Sequence, residues 1–216
     1  IEVPVEEAKG YGVMSVDDNL RITQFVEKPD APEEVPGKPG MALASMGIYI
    51  FSRDFLYKVL YEDAAKVHSS RDFGKDIIPA AISKGLRVFA YPFEGYWQDI
   101  GTIRSYYEVN LALTSANPPF DFYSAEWPIY TRARHLSGTR VMDSSLMRVL
   151  LAPGSRLERA AIADSVIGLR SIVNTGAHLH RVVMLGADYI ETLVQLEENR
   201  RLGLPDIGVG AGSVIE

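Results

Sequence analysis

The sequence predicts a two-part chain: an α/β domain over residues 1–117 and, after a linker at 118–138, a left-handed parallel β-helix over 139–216. Three observations carry this. Short apolar runs alternate with helix-period segments in the first half, the pattern of an α/β layer. At Asn117-Pro118-Pro119 that pattern stops. Beyond it, aliphatic and small residues recur every six positions, the signature of a hexapeptide-repeat coil.

Taken in order, Ile1 to Glu7 read as the middle of a strand, so the chain is expected to begin inside a domain. Tyr11–Val16 reads as a strand and Asp17-Asp18-Asn19 as a turn. Arg21–Val26 alternates polar and apolar residues like a half-buried strand. Lys28-Pro29 ends it, because proline lacks an N–H and restricts its predecessor. Asp30–Gly40, rich in proline and acids, reads as a loop. Met46–Phe51 is continuously apolar, suited to a strand covered on both faces. Ser52 is placed to cap a helix with Phe55, Leu56, Val59 and Leu60 on one face. A second helix is expected over Lys75–Lys84, stopped by Gly85. Leu86–Phe93 reads as another strand, and Thr102 caps a third helix running towards Thr114.

Phe120 to Thr139 shows no period. Hexads then start at Val149, Ser155, Ala161, Ile167, Val173, Leu179 and Leu185. Five of these starts are aliphatic and are expected to point inward; the other two are small, and the small residues Ser165, Ser171 and Ala177 suit tight corners. Asp188–Pro205 interrupts the repeat with an acidic, helix-prone insertion, and the hexads resume at Val209. The chain stops at Glu216 without a polar capping repeat, so both ends are expected to be cuts through a larger protein.

Composition narrows the function classes. The 216 residues carry a formal charge of -6 with no basic block, which argues against a nucleic-acid partner. No run approaches the roughly 18 apolar residues of a membrane span. There are no cysteines, which removes disulfide and thiolate-metal chemistry and fits a reducing cytoplasm. The histidines His68, His135, His178 and His180 show no metal-ligand spacing, and His178 and His180 are expected on the coil surface.

Four motifs stand in order on the first half: Phe25-Val-Glu-Lys-Pro29, Ala44-Ser-Met-Gly-Ile-Tyr-Ile-Phe51, Asp72-Phe-Gly-Lys-Asp-Ile-Ile-Pro79 and Tyr96-Trp-Gln-Asp-Ile-Gly-Thr102. With Trp127–Arg134, Ser165–Ser171 and Met184–Glu191, they resemble the ADP-glucose pyrophosphorylases, which are sugar-1-phosphate nucleotidyltransferases. The resemblance covers nearly the whole chain and looks closest to the cyanobacterial and plant branch. It implies a partial Rossmann-like domain, a tetrameric full-length enzyme in the cytoplasm (or the plastid, in a plant), and attack of glucose-1-phosphate on the α-phosphorus of ATP. The family's glycine-rich phosphate loop, catalytic arginine and first metal-binding aspartate have no counterpart among these residues. The isolated chain is therefore expected to show little catalysis.

Phosphoryl-type transfer needs positioning and charge neutralisation, and the resemblance assigns roles accordingly. Lys28 holds the sugar phosphate as a point charge. Glu27 and Asp72 accept hydrogen bonds from sugar hydroxyls, Ser45 faces the sugar, and Phe73 and Trp97 line its apolar side. Gly12 and Gly47 admit the ligand close to the backbone. Asp99 shares a face with Trp97 if the segment is extended, and is the expected Mg²⁺ ligand. Arg132, Arg134 and Arg170 are candidate contacts for phosphorylated effectors. Plain structural roles compete for several of these residues: helix capping for Asp72, core packing for Phe73 and solvation for the arginines.

Other readings stay open: a nucleotidyltransferase for another sugar-1-phosphate or nucleotide, or a non-catalytic chain supplying oligomer contacts. A hexapeptide acyltransferase fits poorly, with few coils and no placed catalytic histidine.

Overall fold

The computed structural model describes residues 1–216, and the chain divides into two compact units, Ile1–Gly95 and Tyr96–Glu216.

In the first unit, β1 (Glu2–Pro4) leads into a short helix α1 (Val5–Ala8), so the expected opening strand ends at Pro4. Proline cannot continue a ladder, and its fixed φ suits a helix start. β2 (Gly12–Val16) and β3 (Ile22–Glu27) form an antiparallel hairpin, with Gly12 opposite Glu27. β4 (Met41–Leu43) returns antiparallel to β1. Helix α2 (Arg53–Ala64) follows Ser52, whose side chain makes no capping hydrogen bond. A π-helical turn (Phe73–Ile77) runs into α3 (Ile78–Ser83), and Gly85, at φ 69°, closes it as expected. Ile78 packs on Ile22 and Phe25 of the hairpin.

Two expected strands are absent. Met46–Phe51 forms none, and Ile50 is 98% exposed. A doubly covered strand needs a hydrogen-bonded partner on each side, and none of this chain's strands pairs with the segment. Leu86–Phe93 is reduced to a bridge between Phe89 and Arg21. Hydrogen bonds from Ile22 N–H to Val88 O and from Ala90 N–H to Leu20 O hold it beside the hairpin.

In the second unit, Thr102 caps α4 (Ile103–Ala112) through a reciprocal pair with Ser105. The Tyr107 hydroxyl donates to Asp164 O at 2.8 Å, fastening α4 to the coil. Residues 118–138 carry no regular element. The coil comprises β5 (Arg140–Met142), β6 (Ser145–Leu151), β7 (Arg156–Glu158), β8 (Ala161–Leu169), β9 (Ile172–Val173), β10 (His178–His180) and β11 (Val183–Gly186). Helix α5 (Leu193–Leu202) is the expected insertion, capped by Thr192 and ended by Gly203 in the left-handed region. β12 (Val214–Ile215) resumes the stack. All coil pairings are parallel.

The corners explain a phase correction. From Asp143 the left-handed residues are Arg148, Gly154, Arg159, Asp164, Arg170, Gly176, Arg181 and Gly186, separated by five or six positions. Partners on neighbouring rungs are thus 16 or 17 residues apart (Ser145 with Ala161, Ala161 with His178), not the 18 of three strict hexads. Ile167, Val173 and Leu179 point inward as expected. Elsewhere the strict period slips by one or two. Leu157, Ile162 and Met184 serve the core in place of Ser155, Ala161 and Leu185, and Leu185 is 79% exposed. Val149 is partly buried against the core. Ser155 is buried as a corner residue, its hydroxyl donating to backbone carbonyls and accepting from Ser171 N–H. Ser165, Ser171 and Ala177 are buried, and His178 and His180 are exposed, as expected. No helix is long and apolar enough to cross a membrane.

Candidate functional site

The hairpin and the π-turn build one compact constellation in the first unit. Glu27 ends β3 opposite Gly12, and its carboxylate sits where no side chain can stand on either neighbour. A Cβ on Gly12 would lie 2.8 Å from Glu27 Oε2 and 2.5 Å from the Phe25 ring, and a Cβ on Gly74 2.5 Å from the same Oε2. Atoms do not approach so closely, so both glycines are required for this carboxylate position. Gly74 has no assigned role in the sequence reading. Its neighbour Asp72 offers Oδ1 3.4 Å from that Cβ position, so two acidic groups converge on one glycine.

Asp72 also caps the helix, accepting from Lys75 N–H at 2.9 Å. Asp76 anchors the same turn by accepting from the Ser70 hydroxyl and the Asp72 N–H. The Ser70 hydrogen bond is the main reason its carboxyl is held below the usual range. Lys28 follows Glu27 in the left-handed region at φ 50°, its N–H donating to Tyr11 O at 2.9 Å. That backbone region is sparsely used by side-chain-bearing residues and turns the exposed Lys28 out of the strand.

Ser45 joins the group through its N–H, which donates to Gly12 O at 2.7 Å. Its hydroxyl accepts from Gly47 N–H at 3.2 Å and lies 3.1 Å from the Tyr49 hydroxyl. Gly47 has φ 70° and open space on its Cβ side, so glycine is required there by conformation. Phe73 stacks on Tyr49 with centroids 5.8 Å apart and lies 5.7 Å from Phe51. Part of its apolar surface is therefore already used by its own chain.

Trp97 and Asp99 lie in the second unit, on backbone without strand hydrogen bonding. Trp97 is half-buried and Asp99 exposed, its Oδ2 2.7 Å from where a Gly101 Cβ would stand. No three metal-ligating side chains converge anywhere in the chain. A single accessible carboxylate suits a hydrated Mg²⁺ completed by phosphate oxygens, not a protein-only cage. Arg132 and Arg134 are exposed, and Arg170 is a coil corner donating to Ala187 O at 3.3 Å.

Comparison with known proteins places these residues in a lineage. The nucleotidyl transferase family model matches residues 1–116, and that of the GLGC left-handed parallel β-helix domain matches 134–216. A glucose-1-phosphate adenylyltransferase of Thiobacillus denitrificans is 44% identical over 200 residues, covering 84% of this chain and 45% of the relative. That of Hydrogenovibrio crunogenus is 41% identical over 208 residues, 94% of this chain and 49% of the relative. That of Nitrosomonas europaea is 36% identical over 240 residues, 95% and 54%. The chain spans about half the length of these curated relatives. With the first match covering more than half of its residues, the chain belongs to the nucleotidyl transferase family, and its second half is a left-handed parallel β-helix.

Proposed function

We propose that this chain forms the sugar-phosphate side of a glucose-1-phosphate adenylyltransferase, which converts ATP and glucose-1-phosphate to ADP-glucose and pyrophosphate in glycogen or starch synthesis. The observation that carries it is the Glu27 carboxylate lodged between Gly12 and Gly74, with Asp72 beside it and Lys28 next in sequence. Two fixed acceptors suit vicinal hydroxyls, and an adjacent cation suits a phosphate. In this reading Lys28 binds the glucose-1-phosphate phosphate as a point charge. Glu27 and Asp72 orient the ring so that a phosphate oxygen faces the α-phosphorus of ATP; the new P–O bond forms there as the α–β bond breaks and pyrophosphate departs. Ser45, Gly47 and Phe73 border the ring, with Trp97 against its apolar side. Asp99 is the residue that would hold Mg²⁺, and the ion supplies charge neutralisation at the phosphates. Arg132, Arg134 and Arg170 belong to the proposal as effector contacts, as do the limits 1–117, 118–138 and 139–216 and a cytoplasmic tetramer built through the β-helix.

The test has two parts. Calorimetric titration with glucose-1-phosphate should show saturable binding that Lys28→Ala and Glu27→Gln each weaken about tenfold or more, as expected for lost hydrogen bonds to charged groups. Pyrophosphate release from ATP, glucose-1-phosphate and Mg²⁺ should not exceed that of Asp99→Asn. Unsaturable or variant-insensitive binding overturns the sugar site. Release abolished by Asp99→Asn shows that the chain holds a complete nucleotide site. A non-catalytic oligomerisation chain is the second reading, favoured by the share of the sequence given to the coil.

A further inference from the structure

The loop that delivers Asp72 to Glu27 is tied to helix α2 by contacts that the sugar-site reading does not use. We propose that Asp63 and Ser69 are positioning residues for Asp72, acting through the backbone of Arg71; this rests on the sugar-phosphate reading above. Arg71, the residue before Asp72, has φ 62°, a region that residues with a side chain avoid. Such strain persists only where the surroundings over-determine it, and it gathers at ligand-binding sites. Here a relay from α2 supplies the constraint. Asp63, on α2 and 3% exposed, accepts from the Ser69 hydroxyl at 2.6 Å. Ser69 Oγ in turn accepts from Arg71 N–H at 3.0 Å. The Arg71 guanidinium closes the ring by donating to Asp63 O, and its Nη1 lies 3.6 Å from Asp63 Oδ2.

The relay has one direction. An ionised carboxylate can only accept, and a hydroxyl has a single proton to give. Lys66 Nζ, 3.3 Å from Asp63 Oδ1, and Arg71 favour the charged carboxylate. It takes the Ser69 proton, which leaves the Ser69 oxygen to accept from Arg71. Three consecutive N–H groups are held in this side-chain fashion. Ser70 N–H donates to Asp76 Oδ2 at 3.1 Å, Arg71 N–H to Ser69, and Asp72 N–H to Asp76 Oδ2 at 3.3 Å. No helix or sheet ladder fixes residues 69–72, so losing a side-chain acceptor frees the backbone that carries Asp72. Val67 and His68, just before Ser69, are exposed and make no such contact. The ties therefore concentrate on the residues that lead into Asp72. The Asp72 side chain spends Oδ1 on Lys75 N–H, and its Oδ2 has no hydrogen bond in the chain. That oxygen is the one left for a sugar hydroxyl, and its direction depends on the backbone held by the relay.

The probe is glucose-1-phosphate, titrated calorimetrically into the full chain, with thermal unfolding to check that each variant is folded at the titration temperature. Ser69→Ala removes the relay without altering Asp72 and should weaken binding about tenfold. Ser69→Thr keeps the hydroxyl and should recover most of that loss. His68→Ala, in the same loop, should leave binding unchanged. The decisive readout is a double-mutant cycle with Asp72→Asn. Because Ser69 acts through Asp72, Ser69→Ala should add little to the loss that Asp72→Asn already causes, whereas independent losses multiply. Should Ser69→Ala fail to fold, Ser69→Cys carries the same test, since a thiol keeps the shape but donates and accepts weakly. If the unaltered chain gives no saturable titration, the sugar-site reading fails and this proposal with it. If the unaltered chain binds but the relay variant binds equally well, or its loss multiplies with that of Asp72→Asn, the positioning role alone is overturned.

Discussion

Two isoleucine-rich stretches of this chain meet opposite fates. Ile48 and Ile50 are 72% and 98% exposed, whereas Ile162 and Ile167 are 2% and 1% exposed. Hydrophobicity does not separate them; distance to a partner does. A coil strand finds the same kind of strand one rung away, so the repeat closes its own backbone ladder and core as it lengthens. Met46–Phe51 has no strand of this chain beside it. Stability should therefore concentrate in the coil, while the α/β unit carries the specialised groups.

The largest test of that contrast is Ile167→Ala. It should cost about 2–5 kcal/mol in denaturant unfolding, the range for truncating a fully buried aliphatic side chain; a cost below about 1 kcal/mol would break the picture of a tightly stacked coil. Ser165→Ala should cost about 1–3 kcal/mol. The serine hydroxyl links two rungs, donating to Ala163 O and accepting from Val182 N–H, which the alanine would orphan. In the α/β unit, Gly74→Ala should weaken glucose-1-phosphate about tenfold, equivalent to one displaced charged hydrogen bond, while Tm changes little; an unchanged titration would remove Gly74 from the site.

Acid sharpens the comparison further. Asp63 is 3% exposed, and the Ser69 hydroxyl is the main cause holding its carboxyl below the usual range, with Lys66 alongside. A carboxyl depressed in the folded state contributes stability above its unfolded pKa and loses it as pH falls through the folded value. The α/β unit should thus lose stability below about pH 4, and Asp63→Asn should flatten that limb in a Tm–pH series. The smallest effect is expected for Ile50→Ala, within about 0.5 kcal/mol, as for an exposed residue making no special contact.

The comparison also shows why some features were legible and others not. The Thr102 cap, the Gly85 stop and the α5 insertion rest on signals spanning a few residues, and all three stand in the structure. The motif around Glu27 and Lys28 was visible because it is contiguous. Gly74 was not: its importance comes from a carboxylate 47 positions earlier in the sequence. Ser69 looks like an ordinary loop hydroxyl until the fold sets the Asp63 carboxylate beside it.

By itself, then, the sequence determined the α/β-then-coil order and the helix ends, because periodicity, capping and proline act over short range. Only the tertiary structure decided the coil phase, the loss of two strands and the convergence of Glu27, Gly12 and Gly74. Those depend on which distant backbone becomes the hydrogen-bonded neighbour, and local composition does not encode that partner.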